Sequence, residues 1–384
     1  MVMTVVAKRM PTLMPTSRRL LFALLATFLG LLLIEGVLRI ASPVGGLLQG
    51  QPEETMDGSE AIMMHGNPFL LWELSPGQRT QAGGEVTIND NGFRDRDRSA
   101  PQRPRALVLG DSSVYGFGVS GSEVFTTLLE EELQADIING GVPGYSTTQA
   151  LNFLWGRGLA LDPDLLIVAA LWSDNNFDSF VDAERLRRYA VWRRTGQASI
   201  QGVLEHSAIY RSLEFAMKKE QSQTVSWMGL RRQTPSGNRR VPIQTYAENL
   251  AEFCTVMADR DGGVVFVVLP NRHDVEGGIA VPPWVPYRTV MRRTAKACDA
   301  PIVELPEEFR AAGQPFLFFD EMHPSVPGHQ LMAKAIADTL RSAGWPDTPI
   351  KTRAPAGPIN LPSDPYEGKG AKLGLFGGNK QGGP

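Results

Sequence analysis

The sequence predicts a three-layer α/β/α fold with a mostly parallel sheet, preceded by one N-terminal transmembrane helix. Three observations carry this expectation. Short runs that are apolar at every position recur from residue 105 onward, stretches of helical spacing separate them, and a long charge-free segment stands near the N-terminus. Runs apolar at every position belong to strands covered on both faces, and helices between such strands imply parallel pairing.

In chain order, residues 20–34 (LLFALLATFLGLLLI) carry no charge, and the apolar character continues past Glu35 and Arg39 to Ala41. At about 1.5 Å per helical residue, the segment 20–41 spans roughly 33 Å, enough for a bilayer core. Glu35 and Arg39 are four apart and can pair on one helix face near the interface. Lys8, Arg9, Arg18 and Arg19 precede the span and only Arg39 lies near its far end. That bias predicts a cytoplasmic N-terminus (1–19), an anchor (20–41) and a remainder on the exported, extracytoplasmic side. A cleaved signal peptide has the same basic flank, but RIASPVGG offers no clear small-x-small cleavage site, so an anchor is the expectation.

Residues 42–100 are rich in Gly, Pro and polar residues and read as a linker or N-terminal extension with two denser patches, GNPFLLWELSPGQ and EVTINDNGFRDRD. The second suggests a short strand entering an Asn-Gly turn. The main domain is expected over 101–345. ALVLG (106–110) and DIING (136–140) read as strands, with EVFTTLLEEEL (123–133) helical between them. STTQALNFLWGRGL reads as a helix N-capped by Ser146, followed by the buried strand DLLIVAAL (164–171). QTYAENLAEFCTVMADR, VVFVVLP, VPYRTVMRRTAKAC and PIVELP then repeat helix, strand, helix, strand. Residues 181–242 interrupt the rhythm with twelve basic residues, a helical piece (SAIYRSLEFAMKK) and a polar segment (RRQTPSGNRR). They are expected to form an insertion beside the active site, the plainer alternative being a solvated surface excursion. From 346 the chain lacks apolar periodicity and reads as a disordered tail.

With 384 residues and 42% hydrophobic side chains, the chain can build one large α/β domain with appendages. A formal charge of -3 provides no basic field, so no nucleic-acid partner is expected. Two cysteines, Cys254 and Cys298, are too few for a disulfide framework, although a single bridge in an oxidising compartment stays open.

The first strand of the domain ends in Gly110-Asp111-Ser112-Ser113, beyond the carboxyl end of a strand, where open parallel sheets bind ligands. A serine hydroxyl is a weak nucleophile and needs a base, normally a histidine held by a carboxylate. FLFFDEMHPSVPGHQ supplies both, Asp320 and His323, three residues apart before the last helix. Each motif alone is weak, since GDS recurs at turns and Asp-x-x-His arises by chance. Their order on the first strand and before the last helix of one domain makes the case, with two oxyanion candidates between them. One is Gly144 in NGGVPGYSTTQ, through its backbone N–H. The other is an Asn side chain in Trp172-Ser173-Asp174-Asn175-Asn176 after strand 164–171. His65, His206, His273 and His329 lack an Asp at that spacing, and His329 is expected to be structural. No histidine pair sits at a ligand spacing such as i, i+4, so neither metal nor cofactor is expected.

Over residues 66–343 these motifs resemble the SGNH (GDSL-like) hydrolase superfamily, including the upstream GFRDRD and the GVPGYSTTQ segment. The resemblance implies Ser112 as nucleophile, His323 with Asp320 as proton relay, and the Ser112 and Gly144 N–H groups in the oxyanion hole. The third block departs, with WSDNN in place of GxND. Asn175 is the expected donor there and Asp174 the alternative frame, although an ionised carboxylate would repel an oxyanion. The implied function is a serine esterase or O-acyltransferase acting on small ester-linked acyl groups, such as acetyl on an exported polysaccharide. A lipid or general carboxylesterase is the alternative within enzymes, and a non-catalytic polysaccharide-binding or assembly protein the alternative outside them.

Overall fold

The computed structural model describes residues 16–41, 64–81, 84–96, 104–178, 180–195, 207, 209, 238–277 and 282–366. Most of the basic N-terminus, the segment 42–63, nearly all of the SAIYRSLEFAMKK piece, most of RRQTPSGNRR and the end from 367 lie outside them.

The elements, in order, are α1 (Thr16–Ala41), β1 (Met64–Asn67), β2 (Leu71–Leu74), β3 (Gly77–Gln81), β4 (Gly84–Ile88), β5 (Arg105–Gly110), α2 (Ser112–Tyr115) and α3 (Phe125–Leu133). They continue with β6 (Asp136–Gly141), α4 (Thr147–Phe153), β7 (Leu165–Ala169), α5 (Trp172–Asn175), β8 (Phe177–Asp178) and α6 (Asp182–Thr195). Last come β9 (Asn238–Arg239), α7 (Ile243–Ala258), β10 (Gly263–Val268), α8 (Arg272–Glu276), α9 (Val285–Cys298), β11 (Ile302–Glu304), α10 (Leu305–Ala312) and α11 (Val326–Ser342).

Five strands form one parallel sheet in the order β11-β10-β7-β5-β6. Every residue of β5, β7 and β10 is buried, which is why these strands read as unbroken apolar runs. Full burial of each Val, Leu or Ile contributes about 1.5–3 kcal/mol. One helical layer joins α3, α10 and α11, and the other joins α4, α7 and α9. The chain enters the sheet at β5, steps outward to β6, then crosses back to β7 on the far side. The strand order therefore reverses between β5 and β7, and the crevice beyond their carboxyl ends is where such sheets bind ligands.

Helix α1 contains one 18-residue window, Leu20–Val37, long and apolar enough to cross a membrane, and none of it is buried. A signal sequence has the same properties. Helices α7 and α9 are joined by the Cys254–Cys298 disulfide, with Cα atoms 6.1 Å apart, so the bridge left open by composition is formed.

Two expectations about the flanks are corrected. Residues 64–96 are not a linker: Met64, Trp72, Leu74, Val86, Ile88 and Phe93 are buried in the main core. Arg94 of GFRDRD is buried and donates to the carbonyls of Tyr115 (2.9 Å), Gly116 and Val119, so it ties off the turn that follows α2. Nor is the tail disordered from 346. Up to residue 366 it is an extended strap: Ile350 is buried, the Thr352 and Arg353 N–H groups donate to Gly262 and Cys298 carbonyls, and Asp364 pairs with Arg239. An extended segment held by isolated anchors has no periodicity to read.

Candidate active site

Asp111 begins the site. Its side chain N-caps the short helix α2, accepting from Ser113 N–H at 3.0 Å, while its other oxygen accepts from Trp172 N–H at 3.1 Å. One fully buried carboxyl thus joins the segment after β5 to the segment after β7, and burial pushes its pKa up. The strand ends approach closely because glycine permits it. A Cβ on Gly141 would lie 2.3 Å from the Tyr115 nitrogen, so β6 and α2 could not meet with a larger residue there.

Ser112 opens α2 at this junction. Its Oγ lies 2.8 Å from His323 Nε2, and His323 Nδ1 lies 2.6 Å from Asp320 Oδ2. The three residues singled out from sequence are brought together in one chain of contacts, Ser112 to His323 to Asp320. The loop carrying the base is built locally. Asp320 Oδ1 accepts from the N–H groups of Met322 and His323, both at 2.8 Å, and Phe319 N–H donates to the His323 carbonyl at 2.8 Å. Burial opposes ionisation of Asp320, but its hydrogen bonds with His323, the charge of that ring and the two backbone donors outweigh it and hold the carboxyl below the usual range. Phe117 covers the imidazole, with ring centroids 4.6 Å apart.

Gly144 sits in the turn after β6 with φ +77°, a left-handed conformation suited to glycine. Among the described residues, neither the Gly144 nor the Ser112 N–H donates to an acceptor. Asn175 stands differently from its expected role. Its side-chain amide turns back along α5 and donates to the carbonyls of Leu171 (2.8 Å) and Trp172 (3.3 Å), so it presents no free N–H. Asp174 is also committed: fully buried, it accepts from the Thr147 N–H at 2.9 and 3.1 Å and from the Thr147 hydroxyl at 2.5 Å. Burial lifts its pKa to about 7, with Thr147 and Arg240 opposing and Asp182 reinforcing the rise. Three members of this block carry a side-chain polar atom with no hydrogen bond among the described residues: the Ser173 hydroxyl, Trp172 Nε1–H and Asn176 Oδ1, of which only the first two can donate.

Of the other histidines, His329 is fully buried, accepts from Phe125 N–H at 3.2 Å and stacks on that ring. Burial pushes its pKa down to about 3, so it is a neutral packing residue, as its place at a helix start suggests. His273 faces Glu321 at 3.1 Å.

Sequence reasoning missed Asp111 as a joint, Ser173, and the adjacent Arg239 and Arg240. Only the arginines carried a signal, as the last of the basic residues in the insertion, and that signal did not separate them from a solvated charge run.

No protein-family model and no curated protein matches the chain. Solved structures similar to it include an α/β hydrolase from the metagenome of Lake Arreo, Spain, at 16% identity, covering 65% of this chain and 99% of that one with a TM-score of 0.41. The acetylxylan esterase Axe2 from Geobacillus stearothermophilus is 17% identical, with 65% and 97% covered and a TM-score of 0.38. A lipolytic protein of the G-D-S-L family from Veillonella parvula is 13% identical, with 62% and 98% covered and a TM-score of 0.39. The chemistry assigned below rests on the site's own geometry.

Proposed function

We propose that the chain is an SGNH-type serine hydrolase or acyltransferase acting on small ester-linked acyl groups outside the cytoplasm. The observation that carries this reading is the continuous relay from Ser112 Oγ through His323 to Asp320, at 2.8 and 2.6 Å, at the sheet's switch point.

His323 Nε2 takes the Ser112 proton as Oγ attacks the ester carbonyl carbon. The carbonyl π electrons move onto oxygen, which the Ser112 and Gly144 N–H groups and the Ser173 hydroxyl stabilise. Collapse of this intermediate breaks the bond to the leaving alcohol, which receives the proton from His323. Water, or a sugar hydroxyl in the transferase version, then gives its proton to His323 as its oxygen attacks the acyl carbon, and collapse of this second intermediate breaks the bond to Ser112 Oγ, which takes the proton back from His323. Asp320 keeps the imidazole in the tautomer with its proton on Nδ1 throughout. Acetyl on an exported polysaccharide is the substrate class we favour. The apolar α1, its basic flank and the Cys254–Cys298 bridge all suit an anchored, exported enzyme.

One observation favours the scaffold reading, the inward turn of the Asn175 amide. Labelling with a fluorophosphonate probe separates the two readings. Wild type should label on Ser112, Ser112→Ala should not, His323→Ala should label orders of magnitude more slowly, and Ser113→Ala should label normally. Absence of labelling in wild type, or equal labelling of Ser112→Ala, favours the scaffold.

A further inference from the structure

Two adjacent arginines close the insertion, and each reaches a different wall of the site. Arg240 Nη1 donates to the Gly144 carbonyl at 2.8 Å, and Arg239 Nη1 donates to the Asn175 carbonyl at 2.5 Å. Both side chains are at most 7% exposed. Each is neutralised by its own carboxylate. Asp182 takes Arg240 Nε and Nη2 at 3.1 and 2.8 Å, and Asp364 of the strap takes Arg239 Nε and Nη2 at 3.2 Å each. Aromatic faces hold the guanidinium planes, Phe177 at 4.2 Å from Arg239 and Trp72 at 5.4 Å from Arg240. The backbone joins in, with Arg240 N–H donating to the Asn176 carbonyl at 2.9 Å and Val241 N–H to that of Asp174 at 3.2 Å.

Gly144 is held from both sides. The Arg240 guanidinium takes the carbonyl of its following peptide, and Trp72 Nε1–H donates to the Pro143 carbonyl of the preceding one at 3.0 Å. In a trans peptide the C=O and N–H point in opposite directions. Anchoring the Pro143 carbonyl on Trp72 therefore aims the Gly144 N–H away from Trp72, and it meets no acceptor among the described residues.

We infer that Arg239 and Arg240 form a clamp that fixes the Gly144 turn and the 172–176 segment relative to each other, acting as positioning residues for the oxyanion site. This rests on the hydrolase reading for its catalytic consequence but not for its geometry. Stability alone is a weak reason to bury two ion pairs, since apolar replacements of similar volume are often as stable. A planar fork that serves a carboxylate and a carbonyl at once supplies geometry that a lysine cannot.

The test uses full-length protein in detergent, with Arg240→Lys and Arg239→Lys. Each variant keeps a charge for its aspartate and loses the arm to the carbonyl. Amide hydrogen exchange should rise in 141–147 for Arg240→Lys and in 171–177 for Arg239→Lys, with the rest of the domain unchanged. On p-nitrophenyl acetate, kcat should fall roughly tenfold or more while KM changes little, and the inhibition constant of phenylboronic acid, whose Ser adduct mimics the tetrahedral state, should rise by the same factor. Unchanged exchange in both segments overturns the clamp whether or not the protein is an enzyme. Local exchange without loss of kcat, in an active wild type, overturns its positioning role. A wild type with neither turnover nor labelling sinks the hydrolase reading, and the exchange data then judge the clamp alone. If a lysine variant fails to fold, Trp72→Phe removes the bond to Pro143 without burying a charge, and the same increase in 141–147 is expected of it.

Discussion

Four consecutive side chains after β7 have four different fates, which shows how little residue type says about role. Trp172 packs edge-on against Trp284, Ser173 keeps an unbonded hydroxyl, Asp174 accepts from Thr147, and Asn175 ties down its own helix. Successive residues of a helical turn differ by about 100° in direction, so neighbours face different surroundings. Asn175 and Ser173 should consequently fail in different assays. Ser173→Ala should lower kcat by roughly 10² to 10³ with little change in thermal midpoint, in line with loss of one oxyanion donor. Asn175→Ala should lower the midpoint instead, since an intramolecular hydrogen bond is worth about 1 kcal/mol, and leave kcat nearly intact. Parallel measurement of kcat and unfolding on the two variants decides the matter, and the reverse pattern would return the donor role to Asn175.

At the scale of elements, Asp174 of α5 holds the N-terminus of α4. The Ser146 and Gln149 capping box secures the same end from within the helix. Folding raises the Asp174 pKa from about 3.8 to about 7, so between those values the folded state holds a proton that the unfolded state has lost. Stability contributed by this group therefore falls as pH rises through that window, by an amount on the order of a few kcal/mol once the group is ionised. His329 works in the opposite sense. Burial holds its folded pKa at about 3, below the ordinary histidine value of 6.5, so its contribution rises with pH over that range. Asp174→Asn removes one of the two opposing trends. The difference in thermal midpoint between Asp174→Asn and wild type should shift in favour of the variant from pH 5 to pH 8. A difference that does not vary with pH would show that Asp174 does not titrate in this window.

The whole molecule is held together by segments far apart in sequence. Residues from 64–96, from both ends of the insertion and from the strap all meet the same end of the sheet, through Arg94, Asp182, Arg240 and Asp364. The Cys254–Cys298 bridge closes a separation of 44 residues, a loop whose closure is worth about 4 kcal/mol in the chain-entropy model. Export is the condition under which such a bridge persists. An alkaline phosphatase fusion should be active, and a cytoplasmic reporter at the same point silent, if the domain is exported. The junction belongs after Tyr366 rather than after Trp345, because Trp345 is buried and the strap that follows it is packed. The opposite reporter pattern would remove both the export and the polysaccharide readings.

By itself the sequence determined the alternation of strand and helix, the apolar N-terminal helix, and two local motifs, Gly-Asp-Ser112 at the end of a strand and Asp320 three residues before His323. These are local signals: continuous burial leaves an unbroken apolar run, and an Asp three residues before a His reaches it within one loop. Tertiary structure alone decided that Asn175 faces its own helix, that 64–96 belongs to the core and that the chain stays packed to 366. It also decided that Arg239 and Arg240, the end of an insertion that the sequence could not separate from a solvated surface excursion, are buried against two walls of the site. Each of these outcomes depends on hydrogen bonds to partners tens to more than a hundred residues away, or on which way a side chain faces within a single helical turn. Neither leaves a periodic trace in the chain.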